Sequence, residues 1–141
     1  MLPISEVIIR LVIAAVLSSL IGLERELRHK PIGLRTNILV GMGSALIMLV
    51  SISFIQTPAF IASGVISGIG FIGAGLIIQS GSHVHGITTA ASIWVVAALG
   101  LAVGMGYYSA ALVATLIALI ALYIFGNEKL RKKLNLDDIN Q

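Results

Sequence analysis

The sequence predicts an all-α integral membrane protein, a bundle of about five transmembrane helices. Three observations lead there. From Thr36 to Asn127 there is no Asp, Glu, Lys or Arg, a stretch far longer than a soluble domain of this size buries. Hydrophobic residues make up 57% of the chain and charged residues 11%, with a mean hydropathy of +1.04, outside the range of soluble globular proteins. Polar turns divide this apolar sequence into runs of about twenty residues, each the length of one crossing.

The length suits one compact unit: residues 1–126 as the transmembrane domain and residues 127–141, NEKLRKKLNLDDINQ, as a short charged tail. Cysteine is absent, which excludes a disulfide framework and a thiolate metal site. The basic residues lie at the ends of apolar runs rather than among aromatics. That pattern orients helices in a membrane and argues against nucleic acid as a partner.

The first helix is expected to start near Pro3 with Ser5 as N-cap, to pair Glu6 with Arg10 one turn apart, and to run apolar to Leu23. Its basic residues follow the apolar core rather than precede it, so a retained helix is expected rather than a signal peptide. The polar segment Glu24 to Thr36, ERELRHKPIGLRT, comes next and turns at Pro31 and Gly33. A second helix is expected from a cap at Thr36 to about Phe54, before Gln56, Thr57 and Pro58. The third, Ala59 to Ile78, is crowded with Gly64, Gly68, Gly70, Gly73 and Gly75. Gly64 and Gly68 form a GxxxG pair of the kind that lets helices approach closely. After the polar loop QSGSHVHG, Thr88 and Thr89 are expected to cap a fourth helix reaching Gly104, where Gly100 and Gly104 repeat the GxxxG spacing. A tight turn at Met105 to Tyr108 leads to the fifth helix, Tyr107 to Phe125.

Eight of the nine basic residues fall in the first loop and the tail, so the positive-inside rule expects both to be cytoplasmic. Five spans from an outside N-terminus satisfy that, and also bring the loop carrying His83 and His85 to the cytoplasmic side.

An ionisable group at a membrane boundary costs free energy unless it is hydrated or paired, which makes the first loop the leading candidate for a site. Glu24 and Arg25 follow Leu23 without a polar spacer, and a continuing helix would put Glu24 and Arg28 on one face. The alternative is a hydrated flank that only fixes orientation. The starts of the second and fourth helices, at Thr36 with Asn37 and at Thr88 with Thr89, share that side. Their unpaired N–H groups suit the Glu24 carboxylate or an incoming anion, while Glu24 itself suits a cation, so the sign of the ligand stays open. His83 and His85 alternate about Val84 as a candidate metal or proton site, although without a nearby carboxylate a plain interfacial loop explains them as well.

The glycines are read as packing residues. Gly68, Gly70 and Gly73 spell GxGxxG, but inside a membrane-length apolar run rather than after a soluble strand, so a dinucleotide site is not expected. No Ser, His and Asp set is available, because the only aspartates are Asp137 and Asp138 in the tail, and an enzyme is not expected.

Three segments in order, GLERELRHKPIGLRTNILVGMGSAL, SGIGFIGAGLI and GITTAASIWVVAALGLAVGMGYY, resemble the membrane domain of the MgtC/SapB family, from about Gly22 to Tyr108. The resemblance implies a bacterial or archaeal plasma-membrane protein of about five helices, tied to growth under magnesium limitation and, in pathogens, to survival inside macrophages. It implies either a regulator of membrane energetics or of another transporter, the ATP synthase among the candidate partners, or a small homo-oligomeric transporter or channel for Mg2+ or a monovalent cation. By position, Glu24, Arg25, Arg35 and Asn37 match the family's polar motif, and Gly68, Gly70, Gly73, Gly75, Thr88, Thr89 and Trp94 match the later ones. Many members carry an Asp and an Arg where this chain has Thr57 and Phe60, and an Arg where it has His85, so the resemblance transfers no ion pair or ligand to those positions. Longer members add a C-terminal soluble domain, whose functions are not carried over.

The expectation is therefore a protein of cation homeostasis with no evident cofactor beyond Mg2+ as a candidate ion. Its polar site would gather Glu24, Arg25, Arg35, Asn37, Thr88 and Thr89 on the cytoplasmic face, and the third and fourth helices would supply a homodimer contact.

Overall fold

The computed structural model describes residues 2–54, 58–80 and 83–126. Five helices follow in order: α1 (Ile4–Leu27), α2 (Leu34–Ser51), α3 (Pro58–Leu76), α4 (Ile87–Met105) and α5 (Tyr108–Phe125). Four of them, α1 to α4, are long and apolar enough to cross a membrane. α5, with 18 residues as long as α2, lies along the same bundle. Tyr108 at its start bonds Glu6 at the start of α1, and Tyr123 near its end accepts a bond from Arg28 just past the end of α1. Gln56 and Thr57, residues 81 and 82 of the loop QSGSHVHG, and the tail after Gly126 lie outside the described residues.

α4 is the centre of the bundle and packs against all four other helices. Ile93, Val96, Ala97 and Val103 on it are fully buried. One cluster joins Val96, Leu99 and Val103 of α4 to Ala14, Leu17 and Ile21 of α1, Ala45 of α2 and Ala111 of α5; a smaller one joins Ile93 and Ala97 to Ile69 of α3. The outward faces are equally apolar: Ile8, Val12, Val16 and Leu20 on α1 and Leu112, Leu116 and Ile120 on α5 are exposed, which suits a solvent of lipid chains.

Gly100 and Gly104 explain the closeness of α4 to α2. A methyl group at Gly100 would collide with the Gly41 carbonyl, and one at Gly104 would lie 2.6 Å from the Ala45 carbonyl. The second GxxxG pair is thus filled within the chain and is not free to meet a second copy, contrary to the contact expected of α4. α1 and α2 form an antiparallel pair of the same kind, with Ser18 packed against Gly41 and Gly22 against Asn37.

The helix starts correct three expected caps. Ser5 lies inside α1, whose N-cap is Pro3; the Pro3 carbonyl accepts from Glu6 and Val7. α2 starts at Leu34, two residues before Thr36, because a carboxylate from α1 supplies the cap. α4 starts at Ile87 after Gly86, so neither Thr88 nor Thr89 is its cap. Gly86 has φ +91°, and a side chain there would strike the Leu76 carbonyl, so the conformation demands glycine. The loop before it is not wholly irregular either. Ile78–Ser80 and His83–His85 form a short antiparallel ladder, with Ile78 opposite His85 and Ser80 opposite His83. Such three-residue strands leave no periodic signature.

Candidate functional site

α1 continues one turn past Leu23, so the first polar residues are helical rather than part of a loop. Glu24 therefore points into the bundle end, its side chain only 12% exposed. One oxygen, Oε2, meets Nε and Nη2 of Arg25 at 2.5 Å; the other, Oε1, meets Nε of Arg28 at 2.6 Å. Arg25 is 3% exposed. A single carboxylate thus holds two guanidiniums at the end of the span, which is how a buried arginine becomes tolerable. Arg28 reaches further. Its Nη2 donates to the Tyr123 carbonyl at 3.1 Å and its guanidinium stacks 5.5 Å from the Tyr123 ring centroid, so it ties the last turn of α5 to α1.

The turn that follows is built rather than slack. His29 and Ile32 both have positive φ, +52° and +62°. Asn37, wholly buried, donates through Nδ2 to the carbonyls of Ile32 at 2.9 Å and Gly33 at 2.8 Å, fixing both. Its Oδ1 is buried without a partner among the described residues. The backbone N–H of Leu34 donates to Oε2 of Glu26 at 2.7 Å. Glu26 is not among the residues that the sequence marks as candidates. An acidic residue shortly before a helix start was its signal, but the bond spans eight positions and two helices.

The expected constellation is only partly brought together. Glu24 and Arg25 meet, and Asn37 lies at the start of α2, but Glu24 engages neither helix start, and the end of α2 is served by Glu26. Arg35 is exposed and has no carboxylate partner among the described residues. It lines a separate polar hollow of about 540 Å³ with Glu26, His29, Lys30, Gly33, Leu34 and Thr36. Thr89 is buried and its carbonyl accepts from Ser92 Oγ at 2.8 Å, whereas Thr88 is exposed. His85 is exposed on the hairpin; for His83 only the backbone is described. No three His, Asp or Glu side chains converge among the described residues. Of the α3 glycines, Gly73 faces Ala90 of α4, while Gly64, Gly68, Gly70 and Gly75 have open space where a side chain would stand. Trp94 is half exposed on α4.

A second polar cluster closes the opposite end. Arg10 donates to Glu6 Oε1 at 2.8 Å, as the spacing predicts, and also to the Gly104 carbonyl at 2.7 Å, while Tyr108 donates to the same Glu6 oxygen at 2.8 Å. Arg10 thereby caps the C-terminal end of α4, and α1 contributes a charged cap to another helix at each of its ends.

The sequence profile of the MgtC family matches residues 11–130, most of the chain, including Glu24, Arg25, Arg28 and the turn that leads into α2. The chain belongs to the MgtC family. It is 44% identical over 131 residues to YhiD of Escherichia coli strain K12, whose name assigns it, provisionally, to magnesium transport; the match covers 86% of this chain and 61% of YhiD. It is 44% identical over 115 residues to the protein MgtC of Salmonella typhimurium strain LT2, covering 81% of this chain and 50% of that protein. The uncharacterised protein slr0014 of Synechocystis is 40% identical over 119 residues, covering 83% of this chain and 51% of its own. The chain thus spans about half to three fifths of the length of the curated relatives it matches. No solved structure matches it. Family membership and the apolar helices together make this MgtC-family chain a multi-pass membrane protein.

Proposed function

We propose that this protein serves magnesium and cation homeostasis at a bacterial or archaeal plasma membrane, with its N-terminus outside and its C-terminus cytoplasmic. It works without catalysing a reaction, by regulating membrane energetics or a partner transporter when magnesium is scarce. Magnesium is taken from the name of YhiD. The observation that carries the regulatory part is the state of Glu24. A carboxylate held by both Arg25 and Arg28 is a poor ligand for a passing divalent cation, which would have to displace two guanidiniums. In this reading Glu24, Arg25 and Arg28 shape a docking end of the bundle, and α3 offers its open glycine face to a partner helix.

One observation favours a second reading, in which the chain is itself a transporter or channel for Mg2+ or a monovalent cation. Gly64, Gly68, Gly70 and Gly75 remain uncovered in a single copy, so a homodimer through α3 would have room to build a shared pathway.

Reconstitution in liposomes separates the two. Flux of magnesium or a monovalent cation that Glu24→Gln abolishes, with Trp94 emission unchanged, removes the regulatory reading. Absence of flux, together with loss of partner association on substituting the α3 glycines, removes the transporter.

A further inference from the structure

At the end of the bundle where α1 stops and α2 begins, the charges divide into two groups. Arg25 and Arg28 turn inward onto Glu24, and the Glu26 carboxylate sits on the Leu34 N–H. Lys30 and Arg35 are left exposed, without a carboxylate partner among the described residues, on the rim of the hollow of about 540 Å³. Glu26 and His29 are the other titratable groups facing that hollow. The cationic pair stands between the ends of two membrane spans, the level at which lipid phosphates lie.

α2 connects this hollow to a second one. Residues four apart share a helix face, so Arg35, Leu39, Gly43 and Ile47 form one row and Thr36, Val40 and Ser44 its neighbour. Arg35 and Thr36 line the polar hollow; Leu39, Val40, Gly43, Ser44 and Ile47 line one wall of an apolar groove of about 430 Å³ whose other wall is α3. Gly43, Gly64 and Gly68 leave its inside open, with nothing within 4 Å of where their side chains would be. From Arg35 to Ile47 the helix rises about 18 Å, close to the depth of one lipid leaflet. The groove itself, from Leu39 to Ile47, takes up about 12 Å of that rise, room for much of one acyl chain below a phosphate held by the two cations.

We propose that this surface is a binding site for an anionic phospholipid, its phosphate held by Lys30 and Arg35 and one acyl chain lying in the α2–α3 groove against Gly43, Gly64 and Gly68. The proposal does not rest on the magnesium reading: it assigns Gly64 and Gly68 to lipid and leaves Gly70 and Gly75 of α3 open to a partner helix or a second copy. Neutral phospholipid lacks the net charge that the pair selects, and free phosphate lacks the chain that the groove selects.

The test uses the full chain in nanodiscs of phosphatidylcholine doped with phosphatidylglycerol, with lipid retained through detergent exchange counted by native mass spectrometry. The wild type is expected to retain phosphatidylglycerol in preference to phosphatidylcholine. The variant Lys30→Gln/Arg35→Gln is expected to lose that preference by about thirtyfold. Gly68→Leu, placed in the groove at a position where an added Cβ has nothing within 4 Å, is expected to lower retention while Trp94 emission stays that of the wild type. Equal retention of the two lipids by the wild type overturns the proposal. So does undiminished retention in either variant, or an equal loss from the charge-matched tail variant Lys132→Gln/Lys133→Gln. Displacement by millimolar inorganic phosphate makes the ligand free phosphate, and a cross-linked dimer that Gly68→Leu breaks with lipid retention unchanged gives the groove to a second copy; both sink the lipid site.

Discussion

The Glu26 carboxylate of α1 accepts the backbone N–H of Leu34 at 2.7 Å, so the second helix is started by a side chain belonging to the first. No residue local to α2 provides that bond: Gly33, its N-cap, has no side chain to offer. Glu26→Ala is expected to cost about 0.5–1 kcal/mol in thermal unfolding in detergent. Glu26→Gln, which keeps an acceptor oxygen, should cost less. Equal stability of wild type and the alanine variant would mean the cap is not what holds the start of α2.

Glu24 is the sole described acceptor for the buried Arg25 guanidinium. Glu24→Ala leaves that charge uncompensated and is expected to destabilise by about 3 kcal/mol or more. Replacing Arg25 with Leu in the same chain should recover a large part of the loss, because the pair is then removed together. A double-mutant cycle without such recovery would show that Arg25 does not depend on Glu24.

The two GxxxG pairs should respond in opposite directions. Gly100→Leu drives a side chain into the Gly41 carbonyl and Ser44, and is expected to separate α2 from α4 at a cost above about 2 kcal/mol. Gly68→Ala meets nothing, and the better helix propensity of alanine makes it neutral or stabilising by up to about 1 kcal/mol. Comparable destabilisation by both would contradict the packing described for α3.

Because the chain has no cysteine, sidedness can be read with single introduced ones. His29→Cys and Lys132→Cys are expected to react with an impermeant maleimide from the same face of the membrane, and Tyr107→Cys from the opposite face. The bond between Arg28 and the Tyr123 carbonyl brings the end of α1 and the end of α5 to one end of the bundle, which is why the first pair is expected to agree. Opposite labelling of His29→Cys and Lys132→Cys would break the assignment of α5 as a crossing helix.

The five helices were legible because lipid as solvent leaves a coarse mark, long apolar runs separated by polar turns, that needs no knowledge of packing. Their ends were not. Thr36, Thr88 and Thr89 satisfy the local rule for a cap, yet α2 takes its cap from Glu26 and α4 begins at a glycine forced by the nearby Leu76 carbonyl. Both causes lie in another element. Likewise Gly64 with Gly68 and Gly100 with Gly104 read identically, and only the positions of α2 and α3 decide that one pair is covered and the other open. At the candidate site, Glu24 with Arg28 followed from helical spacing, whereas the separation of Arg35 from Glu24 depended on where the turn at His29 to Gly33 placed the second helix.

The helix against which all the others rest is the fourth to be synthesised. During translation α1 and α2 can pair as they leave the translocon, through Ser18 against Gly41 and Gly22 against Asn37, but the surface of α2 that will receive Gly100 and Gly104 stays unfilled until α4 emerges. Until then α3, with so little of itself buried, has hardly anything to lean on. A ribosome halted between the third and fourth helices would leave in the membrane a chain whose first two helices are assembled and whose third is adrift.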